Sequence, residues 1–178
     1  MKILLDTNVL VSATELGDAI GADPETVSNW IRRDVIARAQ IGGRQLARHR
    51  LFKPEEVYKA ALTNELVKLR LPPSHASEAV NEVWKEWDKK ELLDGKTIYA
   101  VISPRGGSWT ASVCWQSLSG GPLYRMGKRL TSKHFEEMHL PKRAFAVIPM
   151  SDVFADVTNK LLKFLGDTTR PRTNDARS

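Results

Sequence analysis

Basic side chains are concentrated in one stretch of this sequence, between Arg32 and Lys53. The stretch holds seven basic residues and one acidic residue, and its net charge of +6 equals the formal net charge of the whole 178-residue chain. Its basic residues are Arg32, Arg33, Arg38, Arg44, Arg48, Arg50 and Lys53. Clustered guanidinium and ammonium groups bind phosphate oxygens and displace counterions. The expected chemistry is therefore binding to a nucleic-acid backbone.

The residues from Asp23 to about Arg33 have helical spacing and would direct a set of polar side chains toward solvent. The apolar residues of this helix are Val27, Trp30 and Ile31. The polar candidates for a contact with duplex DNA are Thr26, Ser28, Asn29, Arg32 and Arg33. Asparagine can form two hydrogen bonds with adenine, and arginine can form two with guanine, in the major groove. The threonine and the serine are short and near the helix start, where a phosphate is the expected partner.

Two helix signals place these side chains. Ser12 followed three residues later by Glu15 is a capping box, which predicts the start of a first helix. Gly21 ends that helix, because glycine adopts a left-handed backbone conformation without steric cost. Asp23 and Pro24 then begin the second helix as N-cap and first helical residue. Two short helices joined by so tight a turn predict a helix–turn–helix, whose second helix can lie in a major groove.

A β-hairpin is predicted after the second helix. Residues 37–41 and 45–52 are two strand-like runs, and the segment from Ile41 to Arg44 contains two glycines that favour a turn. A basic hairpin directly after a helix–turn–helix indicates a DNA-reading module. The predicted DNA-binding residues of this hairpin are Arg44, Arg48 and Arg50.

The first 75 to 90 residues resemble the winged helix–turn–helix of MerR-like bacterial regulators. The matching segments are Ala13-Thr14-Glu15-Leu16 with Ile20-Gly21, Asp23 to Trp30 followed by Ile31-Arg32-Arg33, Val35-Ile36, and Arg50-Leu51-Phe52-Lys53-Pro54-Glu55-Glu56-Val57. The resemblance implies that the second helix enters the major groove and that Arg48 and Arg50 meet phosphates. The chain departs from the family further on, where a long dimerising helix and, in metal sensors, a cysteine-bearing loop would follow.

The first eleven residues support a competing interpretation. Met1 to Val11 looks like the first strand of PIN-domain ribonucleases, in which Asp6 would bind magnesium and Asn8 would be its neighbour. Such a site needs three or four acids from separate strand ends. The next acid in a suitable context is Asp152, which looks like a helix-start residue. A second alternative is a DNA-bending accessory factor of the excisionase kind, which also uses winged helices.

Two further helices are predicted before residue 94. The third begins at Pro54 and ends before Pro72, and its apolar residues are Val57, Ala60, Ala61, Leu62, Leu66 and Leu69. The fourth is capped by Ser74 and covers about residues 75–93. One stripe of the fourth helix consists of Ala76, Val80, Val83, Trp84 and Trp87. This stripe is expected either to cover the DNA-binding domain or to pair with its copy in a homodimer.

The pattern changes from helical to extended at Asp94-Gly95. Residues 97–103 and 109–115 predict two strands of a hairpin, and residues 123–130 predict a third strand. A short helix over 131–140, a strand over 143–150 and a helix capped by Ser151 and ended by Gly166 complete the pattern. We therefore expect an α+β chain with three parts: a winged helix–turn–helix domain with additional helices over 1–93, a small α+β domain for dimerisation or partner binding over 95–166, and a disordered tail over 167–178.

Composition narrows the class of protein. A hydrophobic content of 42% can support a core, and a single cysteine, Cys114, cannot form an internal disulfide. Neither a signal peptide nor a membrane-spanning run is visible, so a cytoplasmic protein is expected. No catalytic arrangement, metal site or cofactor site is predicted. The expected function is sequence-specific binding of double-stranded DNA, as a bacterial or phage transcriptional regulator that forms a homodimer.

Overall fold

The computed structural model describes residues 10–36, 51–87, 96–105, 108–117, 124–125, 128–129 and 146–167. These residues form five helices, namely α1 (Ala13–Ile20), α2 (Pro24–Arg32), α3 (Pro54–Lys68), α4 (Pro73–Glu86) and α5 (Met150–Asp167). They also form seven strands, namely β1 (Val11–Ser12), β2 (Leu51–Phe52), β3 (Lys96–Arg105), β4 (Ser108–Ser117), β5 (Tyr124–Arg125), β6 (Lys128–Arg129) and β7 (Ala146–Pro149). The predicted α+β class is confirmed.

The two N-terminal helices begin and end where the sequence predicts. The Glu15 amide donates to Ser12 Oγ at 3.3 Å, and the Ser12 amide donates to Glu15 Oε2 at 2.7 Å, so both halves of the capping box are present. Gly21 follows α1 with φ of 67°, the left-handed conformation that favours glycine. Asp23 caps α2, and Pro24 is its first residue. The connection between the helices is therefore short and fixed at both ends.

A glycine inside α1 allows the turn between the helices to close tightly. A Cβ atom built on Gly17 would lie 3.0 Å from the carbonyl oxygen of Ala22 and 3.5 Å from a methyl carbon of Val27. The Gly17 carbonyl also accepts a hydrogen bond from the Ala22 amide at 3.0 Å. The absence of a side chain thus lets the turn and α2 approach the backbone of α1.

A two-stranded sheet closes the segment that contains α1 and α2. β1 and β2 pair antiparallel, with Val11 opposite Phe52 and Ser12 opposite Leu51. Phe52 is fully buried, so the returning chain is held in the core. The hairpin predicted over 37–52 lies outside the described residues except for β2.

The third and fourth helices differ from the sequence predictions at three points. Leu69 was predicted to be on the apolar side of α3, but it is 54% exposed, because α3 ends at Lys68 and Leu69 is the capping residue. Ser74 is not the cap of α4, since that helix begins at Pro73 and Pro72 occupies the N-cap position without a side-chain hydrogen bond. α4 ends at Glu86 rather than near residue 93, and Trp87 follows it in an extended conformation.

The larger sheet contains five strands in the order β6-β5-β4-β3-β7. The predicted hairpin of β3 and β4 is confirmed, with register partners from Lys96 opposite Ser117 to Arg105 opposite Ser108. The single strand predicted over 123–130 is instead the two short strands β5 and β6, which pair with each other. β7 pairs with the other side of β3.

The role predicted for Ser151 is wrong. Helix α5 already begins at Met150, and Ser151 Oγ accepts a hydrogen bond from the Ile98 amide at 2.8 Å, so the serine joins α5 to β3 rather than capping its own helix. The helix also continues through Gly166 to Asp167. Because a hydroxyl can satisfy any nearby donor, a sequence pattern cannot identify which donor it serves.

One hydrophobic cluster runs through the described residues on both sides of position 94. It includes Leu16 of α1, Leu62 of α3, Trp84 of α4, Ile98 of β3 and Phe154 of α5. α5 packs against α1, α3 and β3, and α4 packs against α3 and β4. The predicted division into domains 1–93 and 95–166 stays a prediction, but side chains from both segments share this core. Among the described helices, none combines the length and the apolar character needed to cross a membrane.

Candidate nucleic-acid interface

One side of α2 is anchored in the core and therefore fixes the direction of the other side. Val27, Trp30 and Ile31 are 1%, 4% and 0% exposed, as the sequence predicts. Residues three or four positions apart lie on the same helical face, so the intervening polar residues occupy the outer surface. A core-anchored helix of nine residues with a polar outer face has the form needed for insertion into a groove.

The N-terminus of α2 is capped by the carboxylate of Asp23. Asp23 Oδ1 accepts from the Thr26 amide at 2.8 Å, and Asp23 Oδ2 accepts from the Thr26 hydroxyl at 2.7 Å. The Thr26 hydroxyl and amide hold the pKa of Asp23 below its ordinary value of 3.8. Thr26 is half-buried, and its hydroxyl proton is directed to Asp23 in this structure. A phosphate contact at this end would have to compete with an anionic cap.

The outer face of α2 carries the remaining predicted residues. Ser28, Arg32 and Arg33 are exposed, and Asn29 is half-buried. Arg32 Nη2 donates to Asn29 Oδ1 at 2.7 Å, so two of the predicted base-reading residues contact each other one turn apart. The carboxylates of Asp23 and Glu25 lie at the N-terminal end of α2, whereas both arginines lie at its C-terminal end. This arrangement complements the helix dipole, because acidic groups are favourable near the N-terminus of a helix and basic groups near its C-terminus.

The chain leaving α2 is held by a local turn and a long-range hydrogen bond. Asp34 has φ of 54°, and the Val35 amide donates to the Trp30 carbonyl at 2.9 Å. Aspartate is one of the few residues with a side chain that adopts this left-handed conformation. Ser77 Oγ of α4 donates to the Val35 carbonyl at 2.8 Å, and Ile36 is buried. The point where the predicted basic hairpin begins is therefore fixed to α4.

Two donors that sequence reasoning did not identify hold the end of α1. Asn64 Nδ2 of α3 donates to the Ile20 carbonyl at 2.7 Å, and Lys160 Nζ of α5 donates to the Ala19 carbonyl at 3.3 Å. The last turn of α1 contains no basic residue that could interact with its own carbonyls. A polar asparagine within the otherwise apolar face of α3 is the one sequence signal that indicates such a role. Nothing in the sequence around Lys160 indicates its partner 141 residues away.

Three predicted DNA-binding residues, Arg44, Arg48 and Arg50, lie outside the described residues, and their DNA contacts stay a prediction. Of the basic residues in the stretch, those that the structure describes are Arg32 of α2, Arg33 at its C-cap and the exposed Lys53 that precedes α3. The alternative magnesium ligand Asp6 also lies outside. In the part of the chain that the structure describes, no three acidic, histidine or cysteine side chains are close enough to hold a metal ion together.

No protein-family model matches this chain, and no curated protein matches it.

Proposed function

We propose that this protein binds double-stranded DNA in a sequence-specific manner, with α1 and α2 as a helix–turn–helix and α2 as the reading helix. The observation that carries the proposal is the division of α2 into a buried side, formed by Val27, Trp30 and Ile31, and an exposed side with two arginines. The arginine-rich sequence that follows would act as the wing on the DNA backbone. The role is that of a bacterial or phage transcriptional regulator.

Charge supports a duplex as the partner. The basic residues are concentrated between Arg32 and Lys53, while the charges of the remaining chain cancel. Exposed lysines of α3 and α4 are paired within their own helices, Lys68 with Glu65 at 2.6 Å and Lys85 with Glu82 at 2.6 Å. A uniformly basic surface would bind nucleic acid without orientation, whereas a basic reading helix and wing would place the duplex on one side of the molecule.

The proposal is tested by selecting bound sequences from random duplexes and then measuring affinity for the selected site. The variant Arg32→Ala/Arg33→Ala should weaken binding to the selected site and reduce its preference over random DNA. The matched control is Lys68→Ala/Lys85→Ala, which removes the same charge from α3 and α4 and should leave the preference unchanged. Equal losses in the two double variants would contradict α2 as the reader.

The selected sequences also separate the regulator from its alternatives. A palindromic motif would indicate a homodimer, because the symmetry of a DNA site mirrors that of the protein. Binding without a motif but with duplex bending would favour an excisionase-like architectural role. Magnesium-dependent cleavage of RNA by the pure protein, lost in Asp6→Asn, would overturn the proposal in favour of a PIN-type ribonuclease.

A further inference from the structure

The two polar side chains that contact each other on α2 have different capacities as base readers. Asn29 Oδ1 accepts from Arg32 Nη2 at 2.7 Å. An asparagine that reads adenine must accept from N6 through its carbonyl oxygen and donate to N7 through its amide nitrogen. Here the Arg32 guanidinium uses one of the two acceptor positions of Asn29 Oδ1. The N6 group of an adenine would have to share this oxygen with the guanidinium, and the contact favours an orienting role for Asn29.

The same contact leaves Arg32 able to recognise a base. A guanidinium has five N–H donors in a planar fork, and the bond to Asn29 uses one of them. The remaining donors can reach N7 and O6 of guanine. Holding a long, flexible side chain in one orientation before binding reduces the entropy that is lost when the base contact forms. Arg32 is exposed, whereas Asn29 is half-buried, so the arginine is the more accessible member of the pair.

We propose that Arg32 reads a guanine in the major groove and that Asn29 is a positioning residue that orients the guanidinium rather than a reader of adenine. This inference rests on the proposed function and adds to it the chemical identity of one base in the target. The protein should then select sites with a guanine facing α2, and both side chains should contribute to the same base preference.

The experiment measures affinity by fluorescence anisotropy for the selected duplex, for a duplex with the critical guanine changed to adenine, and for one with 7-deazaguanine, which lacks the N7 acceptor. Arg32→Ala should reduce the preference for guanine by about 5-fold to 100-fold. Asn29→Ala should reduce the same preference, and the double variant should lose no more than Arg32→Ala alone. The 7-deazaguanine substitution should weaken wild-type binding but not binding of Arg32→Ala.

Asn29→Asp separates orientation from reading. Aspartate retains an oxygen that accepts from Arg32 but lacks the amide donor needed for adenine N7. The guanine-to-adenine affinity ratio should therefore survive in Asn29→Asp, even where the added negative charge lowers the affinity for both duplexes. Thermal melting of each variant checks that the fold is intact.

Failure of this inference is distinguishable from failure of the proposed function. If the wild type binds its selected duplex but Asn29→Ala and Arg32→Ala have additive effects at different base positions, the orienting role of Asn29 is wrong and duplex reading by α2 stands. Loss of a preference for adenine in Asn29→Asp would likewise show that the orienting role of Asn29 is wrong. If the wild type selects no sequence and binds no duplex at about 50 mM salt, the proposed function fails and the inference fails with it.

Discussion

The two ends of α1 are stabilised in different ways. Its N-terminus is capped by Ser12 and Glu15, whose side chains bind each other's backbone amides three residues apart. Its C-terminal carbonyls receive donors from Asn64 of α3 and Lys160 of α5, which are 44 and 141 residues away. The N-terminus of the helix can therefore form locally, but its C-terminus, where the turn to α2 begins, depends on the rest of the fold. The orientation of the proposed reading helix therefore depends on contacts with distant elements of the described core.

This dependence is tested by Phe154→Ala in α5, for which we expect the largest loss of stability. The Phe154 ring is fully buried, with its centroid 4.9 Å from that of Tyr58 and 5.2 Å from that of Trp87. The substitution should lower the free energy of unfolding by about 3–5 kcal/mol, because it leaves a cavity among aromatic rings. Chemical denaturation followed by far-UV circular dichroism and tryptophan fluorescence measures the loss.

The number of unfolding transitions in that experiment tests whether the described residues unfold as one unit. If the described residues unfold as one unit, a single unfolding transition should shift to lower denaturant concentration. Independent domains over 1–93 and 95–166 would give two unfolding transitions, of which only one would shift. Leu162→Ala is the control on the same helix, since Leu162 is 47% exposed, and it should change the free energy by less than about 0.5 kcal/mol.

The next effect is expected from Asn64→Leu. This change removes the buried donor to the Ile20 carbonyl and leaves that acceptor without its partner, so a loss of about 1–3 kcal/mol is expected. Asn159→Leu, at an exposed position of α5, is the matched control. A stability equal to that of the wild type would show that the end of α1 does not need α3.

A smaller effect is expected at the opposite end of α1. Ser12→Ala removes the hydroxyl that accepts from the Glu15 amide and should cost about 1 kcal/mol, the usual contribution of an N-cap. Ser12→Asp is the control, because aspartate also accepts this hydrogen bond. If Ser12→Ala were more destabilising than Asn64→Leu, the local end of the helix would be the more important one.

The smallest effect is the pH dependence of the α2 cap. The pKa of Asp23 lies below its ordinary value of 3.8 in the folded protein, because the Thr26 hydroxyl and amide bind its carboxylate. Its contribution to stability is therefore fully present above pH 3.8 and is lost as the pH falls through the lower, folded-state pKa. Asp23→Asn keeps a capping side chain but does not titrate.

The difference in Tm between the wild type and Asp23→Asn isolates this contribution, since other carboxylates titrate in both proteins. The difference should be larger at pH 7 than at about pH 2.5. An equal Tm difference at the two pH values would show that the charge of Asp23 does not contribute to the cap.

The comparison also explains which features could be predicted from the sequence. Ser12, Gly21 and Asp23 act on groups within a few residues, so their patterns predict the ends of both helices of the pair. The helical spacing of Val27, Trp30 and Ile31 predicts the buried face of α2. Ser151 has the type and position of a cap, but its hydroxyl accepts from Ile98 in a distant strand. Gly17 gives no signal as a turn, since it lies inside a helix, and only the approach of Ala22 explains it. Contacts that depend on packing between distant elements have no local pattern to reveal them.

The pairing of β1 with β2 has a consequence for how far the basic residues can reach. The fourteen residues 37–50 are attached at one end to Ile36, which is buried, and at the other to Leu51, which pairs with Ser12. Since an extended residue spans at most about 3.6 Å, a connection of fourteen residues sets an upper limit on the distance from either anchor. The connection carries four arginines, Arg38, Arg44, Arg48 and Arg50. If α2 engages a duplex as proposed, binding by these arginines would be an intramolecular step, and a cut in the chain between the two anchors would abolish that advantage without removing a single charge.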